Sequence, residues 1–159
     1  MKLSIRTAAL ALAAVAALAT FAVAPAAAQA TWGPRAGLSF NPDQVVLGAH
    51  VQFPVATQLY IVPNADLAFG DDAFTISING DLQYRFASSG SVKPYVGGGV
   101  TYISYDPDVE GADSVDETGI SALGGVWFNA TGSTPFFLEG KLFFSDRMPD
   151  FKVLVGLNL

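Results

Sequence analysis

Eight charged residues lie inside otherwise apolar or small-residue stretches of this sequence, and they are the first candidates for chemistry. They are Arg35, Asp66, Asp81, Arg85, Lys93, Glu139, Lys141 and Lys152. If they share one interior, these five cations and three acids could line a pore or pair with one another. An unpaired buried charge is costly, so we expect a buried ionic network rather than a general diffusion channel.

The single histidine, His50, is the residue most able to act as a general base. A lipase or deacylase would need a serine hydroxyl beside this imidazole. Its neighbours on the same strand face are Gly48 and Gln52, and no strand carries paired carboxylates for hydrolysis. We therefore expect His50 to be a polar interior residue, assign no catalytic, cofactor-binding or metal-binding residues, and predict that the protein is not an enzyme.

An acidic segment from Asp106 to Glu117 resembles a calcium-binding loop in its spacing. Asp106, Asp108, Glu110, Gly111 and Glu117 match positions 1, 3, 5, 6 and 12 of the EF-hand pattern. Glu stands at the fifth position, however, Pro107 follows the first ligand, and strands rather than helices flank the segment. These departures favour an ordinary acidic surface loop, with divalent-cation binding left open.

The residues just described lie on stretches of strict two-residue alternation, the pattern of β-strands that have one apolar and one polar face. From Phe74 to Phe86, for example, apolar residues alternate with residues such as Asp81 and Arg85. All eight charges fall on the polar face. Eight strands are predicted, at residues 32–40, 45–53, 59–69, 74–86, 93–105, 117–129, 135–145 and 151–159.

Two features interrupt this pattern. Pro63 falls in the middle of the third strand, where a closed sheet has no free edge, so we expect a bulge there. Four large apolar residues also lie on the nominally polar face of the sixth and seventh strands. They are Leu123, Trp127, Phe137 and Phe143.

The first thirty residues have a different character and read as a signal peptide, with the mature chain at residues 31–159. Lys2 and Arg6 precede an Ala/Leu/Val run, and Ala28-Gln29-Ala30 provides a small-x-small cleavage site. Without Lys2 and Arg6, six Lys and Arg remain against fourteen Asp and Glu, a net charge of −8. Nucleic acid is therefore an unsuitable partner. The absence of cysteine excludes thiolate metal sites and disulfides.

Three observations favour lipid rather than water around the apolar face. The polar face is rich in Gly, Ser, Thr and Asn, which suits a narrow interior. Aromatic residues gather at the strand ends, as in the aromatic girdles of membrane barrels. Trp32, Phe53, Tyr84, Phe86, Phe128 and Phe136 would mark one rim; Phe40, Phe69, Phe74, Tyr102, Phe144 and Phe151 would mark the other.

The connections on alternate sides also differ in chemistry. Residues 55–58, 87–91 and 130–134 are short and uncharged, whereas 41–44, 70–73, 106–116 and 146–150 all contain Asp. Short periplasmic turns and longer outer loops are typical of outer-membrane barrels.

On these features, and most clearly in KPYVGGGVTY at 93–102 and VGLNL at 155–159, the chain resembles the small outer-membrane β-barrel superfamily that includes the OmpA transmembrane domain, OmpX and OmpW. The resemblance covers essentially all of residues 31–159. It departs from the family at Leu159, where an aromatic residue is usual. It implies an all-β, eight-stranded antiparallel up-and-down transmembrane β-barrel in a Gram-negative outer membrane.

The expected role is structural or one of surface interaction, with acidic loops outside. The expected partners are outer-membrane lipid and lipopolysaccharide, the outer-membrane assembly machinery, and divalent cations at the acidic loops. Three alternatives remain: a narrow conduit for small or hydrophobic solutes, as the OmpW resemblance implies, a soluble periplasmic ligand-binding barrel, and a lipid-modifying outer-membrane enzyme.

Overall fold

Eight antiparallel strands make up the described chain in a computed structural model that covers residues 30–70, 73–107, 115–130, 133–145 and 148–159. The signal-peptide prediction falls on residues 1–30 and so lies almost entirely outside those ranges. Within them, the structure has no helix that is both long and apolar enough to cross a membrane. The strands are β1 (Thr31–Phe40), β2 (Gln44–Ala56), β3 (Leu59–Phe69), β4 (Ala73–Arg85), β5 (Lys93–Pro107), β6 (Val115–Phe128), β7 (Phe136–Phe144) and β8 (Phe151–Leu157).

Each strand pairs with the next, and β8 pairs with β1, so the sheet closes into a barrel. If paired residues are traced from β1 through each neighbouring strand and back to β1, the trace ends about ten residues from where it began. That stagger corresponds to a strand tilt of about 40°. An eight-stranded barrel of this kind is only wide enough inside for side chains. The predicted fold class is confirmed.

The two faces of the barrel have the chemistry that the alternation predicts. Large apolar side chains are exposed on the outer face, as at Leu47, Val100 and Leu138. The interior buries polar and charged side chains, among them Arg35, Asp66 and Lys152. Two large apolar residues that alternation places on the outer face, Phe53 and Ile76, are buried nonetheless. The exposed apolar surface is the reverse of what a soluble barrel requires.

The bulge expected at Pro63 is elsewhere. Pro63 pairs in regular register with Gly80 of β4, and the β2–β3 register is the same on both sides of it, at His50↔Asn64 and at Phe53↔Ile61. The register shifts instead between Pro54 and Ala56, next to the turn at residues 57–58. An extra residue disturbs fewer ladder pairs at the end of a strand than in its middle, which accounts for this position.

Aromatic residues form cross-strand pairs at both rims. Phe40 stacks with Phe151 at a centroid distance of 6.2 Å, and Phe69 lies 5.2 Å from Phe74. At the other rim Phe128 stacks with Phe136 at 5.0 Å. Tyr84 and Phe86 meet edge to face on that same rim, at 5.3 Å. The predicted girdles are present, apart from Phe53.

The two ends of the barrel differ in charge but not in the length of their connections. We call the end at which residues 30 and 159 lie the terminal mouth; its connections are 57–58, 86–92 and 129–135. None of these contains an acidic residue. The other end, the acidic end, has connections 41–43, 70–72, 108–114 and 145–150. The expected contrast of short turns with longer loops is therefore wrong, while the contrast in acidity holds.

Candidate functional site

A network of buried ion pairs crosses the interior of the barrel. Arg35 on β1 donates from Nε and Nη2 to the carboxylate of Asp66 on β3, at 2.6 and 2.5 Å. Lys152 on β8 lies 3.7 Å from the same carboxylate and donates to Ser77 Oγ at 3.1 Å. Arg35 also donates to the Asn64 amide oxygen at 2.5 Å. One carboxylate thus compensates two cations.

A second ion pair joins the far wall to this network. Lys141 on β7 donates to both oxygens of Asp81 on β4, at 2.7 and 2.9 Å, and to the amide oxygen of Asn79 at 3.1 Å. Asn64 Nδ2 donates to Asp81 at 2.8 Å, so this amide links the two ion pairs. Because nearly every charged atom has a partner, the desolvation cost of burying them is offset.

Glycines make room for the two buried aspartates. A methyl group on Gly48 would lie 2.3 Å from Asp66 Oδ1, and one on Gly99 would lie 2.1 Å from Asp81 Oδ1. Gly48 pairs with Arg35 on one side and with Asp66 on the other, so the Arg35–Asp66 ion pair passes over β2 at a residue without a side chain. The small residues of the polar face therefore have a positional role.

The third buried acid is held by neutral groups. Tyr95 Oη donates to Glu139 Oε2 at 2.8 Å, and Gln83 Nε2 donates to the same oxygen at 3.2 Å. Three buried cations, Arg35, Lys141 and Lys152, thus face three buried acids, Asp66, Asp81 and Glu139. The predicted ionic network is confirmed for five of the eight predicted members, while Glu139 is buried but forms no ion pair with a described residue.

The large apolar residues of β6 and β7 fill the interior rather than breaking the pattern. Leu123, Trp127 and Phe137 pack with Tyr95 and Leu154 in one buried cluster. Trp127 and Phe137 are 4.8 Å apart between centroids. Phe143 packs with Ile103 and Met148 in another cluster. The interior is closed by aromatic and aliphatic packing as well as by ion pairs.

Arg85 and Lys93, the remaining two predicted members, lie half-buried at the terminal mouth. Neither forms an ion pair with a described residue; the guanidinium of Arg85 sits 3.7 Å from the centroid of the Tyr60 ring and 4.9 Å from that of Trp127. Arg85 Nη2 also donates to Gln52 Oε1. Alternation placed these two cations on the inner face correctly but could not show that they are at its edge.

His50 is a buried interior residue, as predicted. Its Nε2 is 2.8 Å from the amide oxygen of Asn158, which can only accept, so Nε2 carries the proton. Its ring packs edge to face against Phe137 at 5.3 Å. The serine that the lipid-modifying alternative requires is not a hydrogen-bond partner of His50 among the described residues.

The calcium hypothesis falls mainly on residues 108–114, outside the described residues. Glu117, at its end, accepts a hydrogen bond from Ser145 Oγ at 2.8 Å. In the described ranges, no three His, Asp or Glu side chains are grouped in a way that could hold a metal ion.

No family model and no curated protein matches this sequence. Solved structures do. Neisserial surface protein A (NspA) superposes with a TM-score of 0.62 at 14% identity, over 82% of this chain and 94% of that one. The N-terminal β-barrel domain of Pseudomonas aeruginosa OprF gives 0.66 at 12% identity, over 81% and 95%. This chain has the fold of the small eight-stranded outer-membrane β-barrels.

A third such barrel, the attachment invasion locus protein Ail of Yersinia pestis, gives a TM-score of 0.54 at 11% identity, over 81% of this chain and 92% of that one. At these identities the likeness concerns the barrel and carries no residue roles. The resemblance to small outer-membrane barrels is confirmed at the level of the fold.

Proposed function

We propose that the mature protein resides in the outer membrane as a closed, non-conducting barrel that displays an acidic surface on the outer side of the cell. In this proposal residues 1–30 direct export and are removed, and the outer-membrane assembly machinery inserts the barrel. The fold shared with outer-membrane barrels supports this location, as does the exposed apolar belt.

The height of the apolar belt suits a bilayer. On β4 the two rims are marked by Phe74 and Tyr84, a run of about 33 Å along the strand at 3.3 Å per residue. A tilt of about 40° projects this run to about 25 Å along the barrel axis, close to the apolar band of outer-membrane barrels. Cross-strand aromatic pairs then lie at the two lipid–water interfaces, where amphipathic rings are favoured.

The absence of conduction is supported by the packing of the interior. At one level the ion pairs of Asp66 and Asp81 span the lumen, and nearer the terminal mouth Trp127 and Phe137 are 2% and 3% exposed. A solute would have to displace both layers. The same observation weighs against the narrow-conduit alternative.

The role at the cell surface follows from the charge of the acidic end. The described acids outside the interior, Asp43, Asp116, Glu117 and Asp150, all lie there. In a membrane with lipopolysaccharide outside, carboxylates and lipid phosphates repel each other unless divalent cations bridge them. We therefore place the surface interaction of this protein at divalent cations held between its acidic end and anionic lipid.

Reconstitution in planar bilayers tests the non-conducting barrel. Residues 31–159, refolded in detergent and shown to migrate as a folded barrel, should give no steps of porin size. Reproducible single-channel steps that grow in number with protein concentration would overturn this part of the proposal.

A second experiment tests the acidic surface. The refolded protein in nanodiscs should bind lipopolysaccharide aggregates in the presence of millimolar Mg²⁺ and release them on addition of EDTA. Replacing Asp43 and Asp150 by Asn should weaken the Mg²⁺-dependent binding of lipopolysaccharide. Binding that is equally strong with EDTA would contradict a role for cation bridges.

A further inference from the structure

A cavity opens at the terminal mouth of the barrel, beyond the closed interior. It has a volume of about 340 Å³ and lies among the turns of that end and the C-terminal segment. Tyr60, Arg85, Lys93, Trp127, Ser88 and Asn158 contribute to its wall. A volume of this size is within the range of small-ligand sites.

The charge at this cavity is positive and uncompensated. The other three strand cations, Arg35, Lys141 and Lys152, each form an ion pair with an aspartate. Arg85 and Lys93 have no carboxylate partner among the described residues, and the connections at this end contain no acid. The chain as a whole is acidic, with a formal net charge of −6, whereas this cavity carries two cations without an acidic partner.

The guanidinium of Arg85 is held by three neighbouring side chains. It lies against the rings of Tyr60 and Trp127, and its Nη2 donates to Gln52, which fixes its plane. Cation–π contact of this kind orients a guanidinium without neutralising it. A fixed, unpaired guanidinium beside an ammonium is suited to a two-oxygen anion.

Two buried donors at the same place lack acceptors. Arg85 Nε and Trp127 Nε1 are both buried without a hydrogen-bond partner in the described structure, and Trp127 is only 2% exposed. Buried N–H groups without acceptors are uncommon in folded proteins, so this mouth is the part of the interior where polar groups are least fully paired. Both belong to residues that line the cavity.

We propose that the terminal mouth is a binding site for an oxyanion, a phosphate or carboxylate group on a small organic molecule, held by Arg85 and Lys93 beside Trp127. The inference goes beyond the proposed function, because it concerns the opposite end of the barrel from the acidic surface. In an outer membrane this end faces the periplasm, so the group could belong to a free periplasmic solute or to the headgroup of an inner-leaflet phospholipid.

The two tryptophans allow a direct test by NMR. The chain contains only Trp32 and Trp127, and Trp32 is 57% exposed on the outer face. In nanodiscs of zwitterionic lipid, titration with glycerol phosphate should move the indole N–H signal of Trp127 saturably and leave that of Trp32 in place. Sodium chloride at the same ionic strength should move neither.

A second set of nanodiscs distinguishes a free solute from a lipid headgroup as the source of the anion. In nanodiscs that contain phosphatidylglycerol, a moved Trp127 signal without added glycerol phosphate would assign the site to a lipid headgroup. A response to free glycerol phosphate alone would assign it to a solute. No movement with either probe, at concentrations up to tens of millimolar, would overturn the proposal.

Variants that remove a charge test whether Arg85 and Lys93 bind the anion. Arg85→Gln and Lys93→Gln should each weaken binding about tenfold or more, since each removes a charge-assisted contact. Arg147→Gln, in the connection between β7 and β8, is the matched control and should leave the affinity unchanged. Lys93 is the first residue of β5 and is only half-buried, so its variant should fold even if Arg85→Gln does not. Unaltered affinity in Lys93→Gln, or equal losses in the control, would contradict the assignment.

Discussion

The guanidinium of Arg35 and the carboxylate of Asp66 meet across the intervening strand β2, directly over Gly48. Two strands that are not neighbours are thereby joined inside the barrel. A side chain on β2 at this point would occupy the space of the ion pair. The contact explains why a glycine, a cation and an acid occur at corresponding positions on three successive strands.

Removal of Asp66 should cost more stability than removal of Arg35. Asp66→Asn leaves Arg35 and Lys152 without a carboxylate, whereas Arg35→Met leaves Asp66 with Lys152. Breaking a buried ion pair costs about 3–5 kcal/mol, so Asp66→Asn should lie in that range and Arg35→Met at or below its lower end. Equilibrium unfolding in urea from lipid vesicles measures both. The reverse order would contradict the shared role of Asp66.

Gly48→Ala should destabilise the barrel by about 1–3 kcal/mol, because the new methyl group would overlap Asp66 Oδ1. Gly80→Ala is the matched control, since a methyl group there would meet nothing within 4 Å. Both are Gly→Ala changes on strands and are compared by the same urea titration. Equal effects of the two variants would argue against close packing over Gly48.

Cations introduced on the outer face should show the dependence on depth that a bilayer imposes. Val100 is 56% exposed in the middle of β5, and Val115 is 39% exposed at the start of β6. Val100→Arg should cost about 2–4 kcal/mol and Val115→Arg about 0–1 kcal/mol, because charge is costly only in the hydrocarbon region. Unfolding from vesicles gives both values. A neutral or stabilising Val100→Arg would mean that water, not lipid, covers this face.

Trp127→Ala should lower the free energy of unfolding by about 3–5 kcal/mol and still leave the barrel closed to ions. The substitution removes a large ring from the Tyr95–Phe137 cluster and leaves a cavity. The ion pairs of Asp66 and Asp81 remain across the lumen. Single-channel recording checks the second outcome, and conduction in this variant would show that the aromatic layer alone closes the lumen.

The strands could be predicted to within a few residues because alternation and charge act together. Displacing β4 by one residue would turn Asp81 outward, so its register follows from the sequence. The contacts between distant strands could not be predicted in this way. That Asp66 meets Arg35, and that Glu139 meets Tyr95, depends on the stagger of the closed sheet, which no single strand encodes.

Other differences have local causes. Leu123, Trp127 and Phe137 would be unfavourable in a water-filled interior. They are favourable in this one, because the interior is filled by side chains that pack against them. The position of the bulge, near Ala56 rather than at Pro63, depends on the turn that follows. A glycine opposite each buried aspartate, as at Gly48 and Gly99, is the signal that could have located the ion pairs.

Fractionation of cells that express the full chain, followed by gel migration with and without boiling, tests the central claim most directly. We expect the protein in the outer-membrane fraction, cut before Thr31, with an unboiled form that migrates differently from the boiled one. Recovery as a soluble periplasmic protein that needs no detergent would contradict the account, because the apolar face would then not lie in lipid.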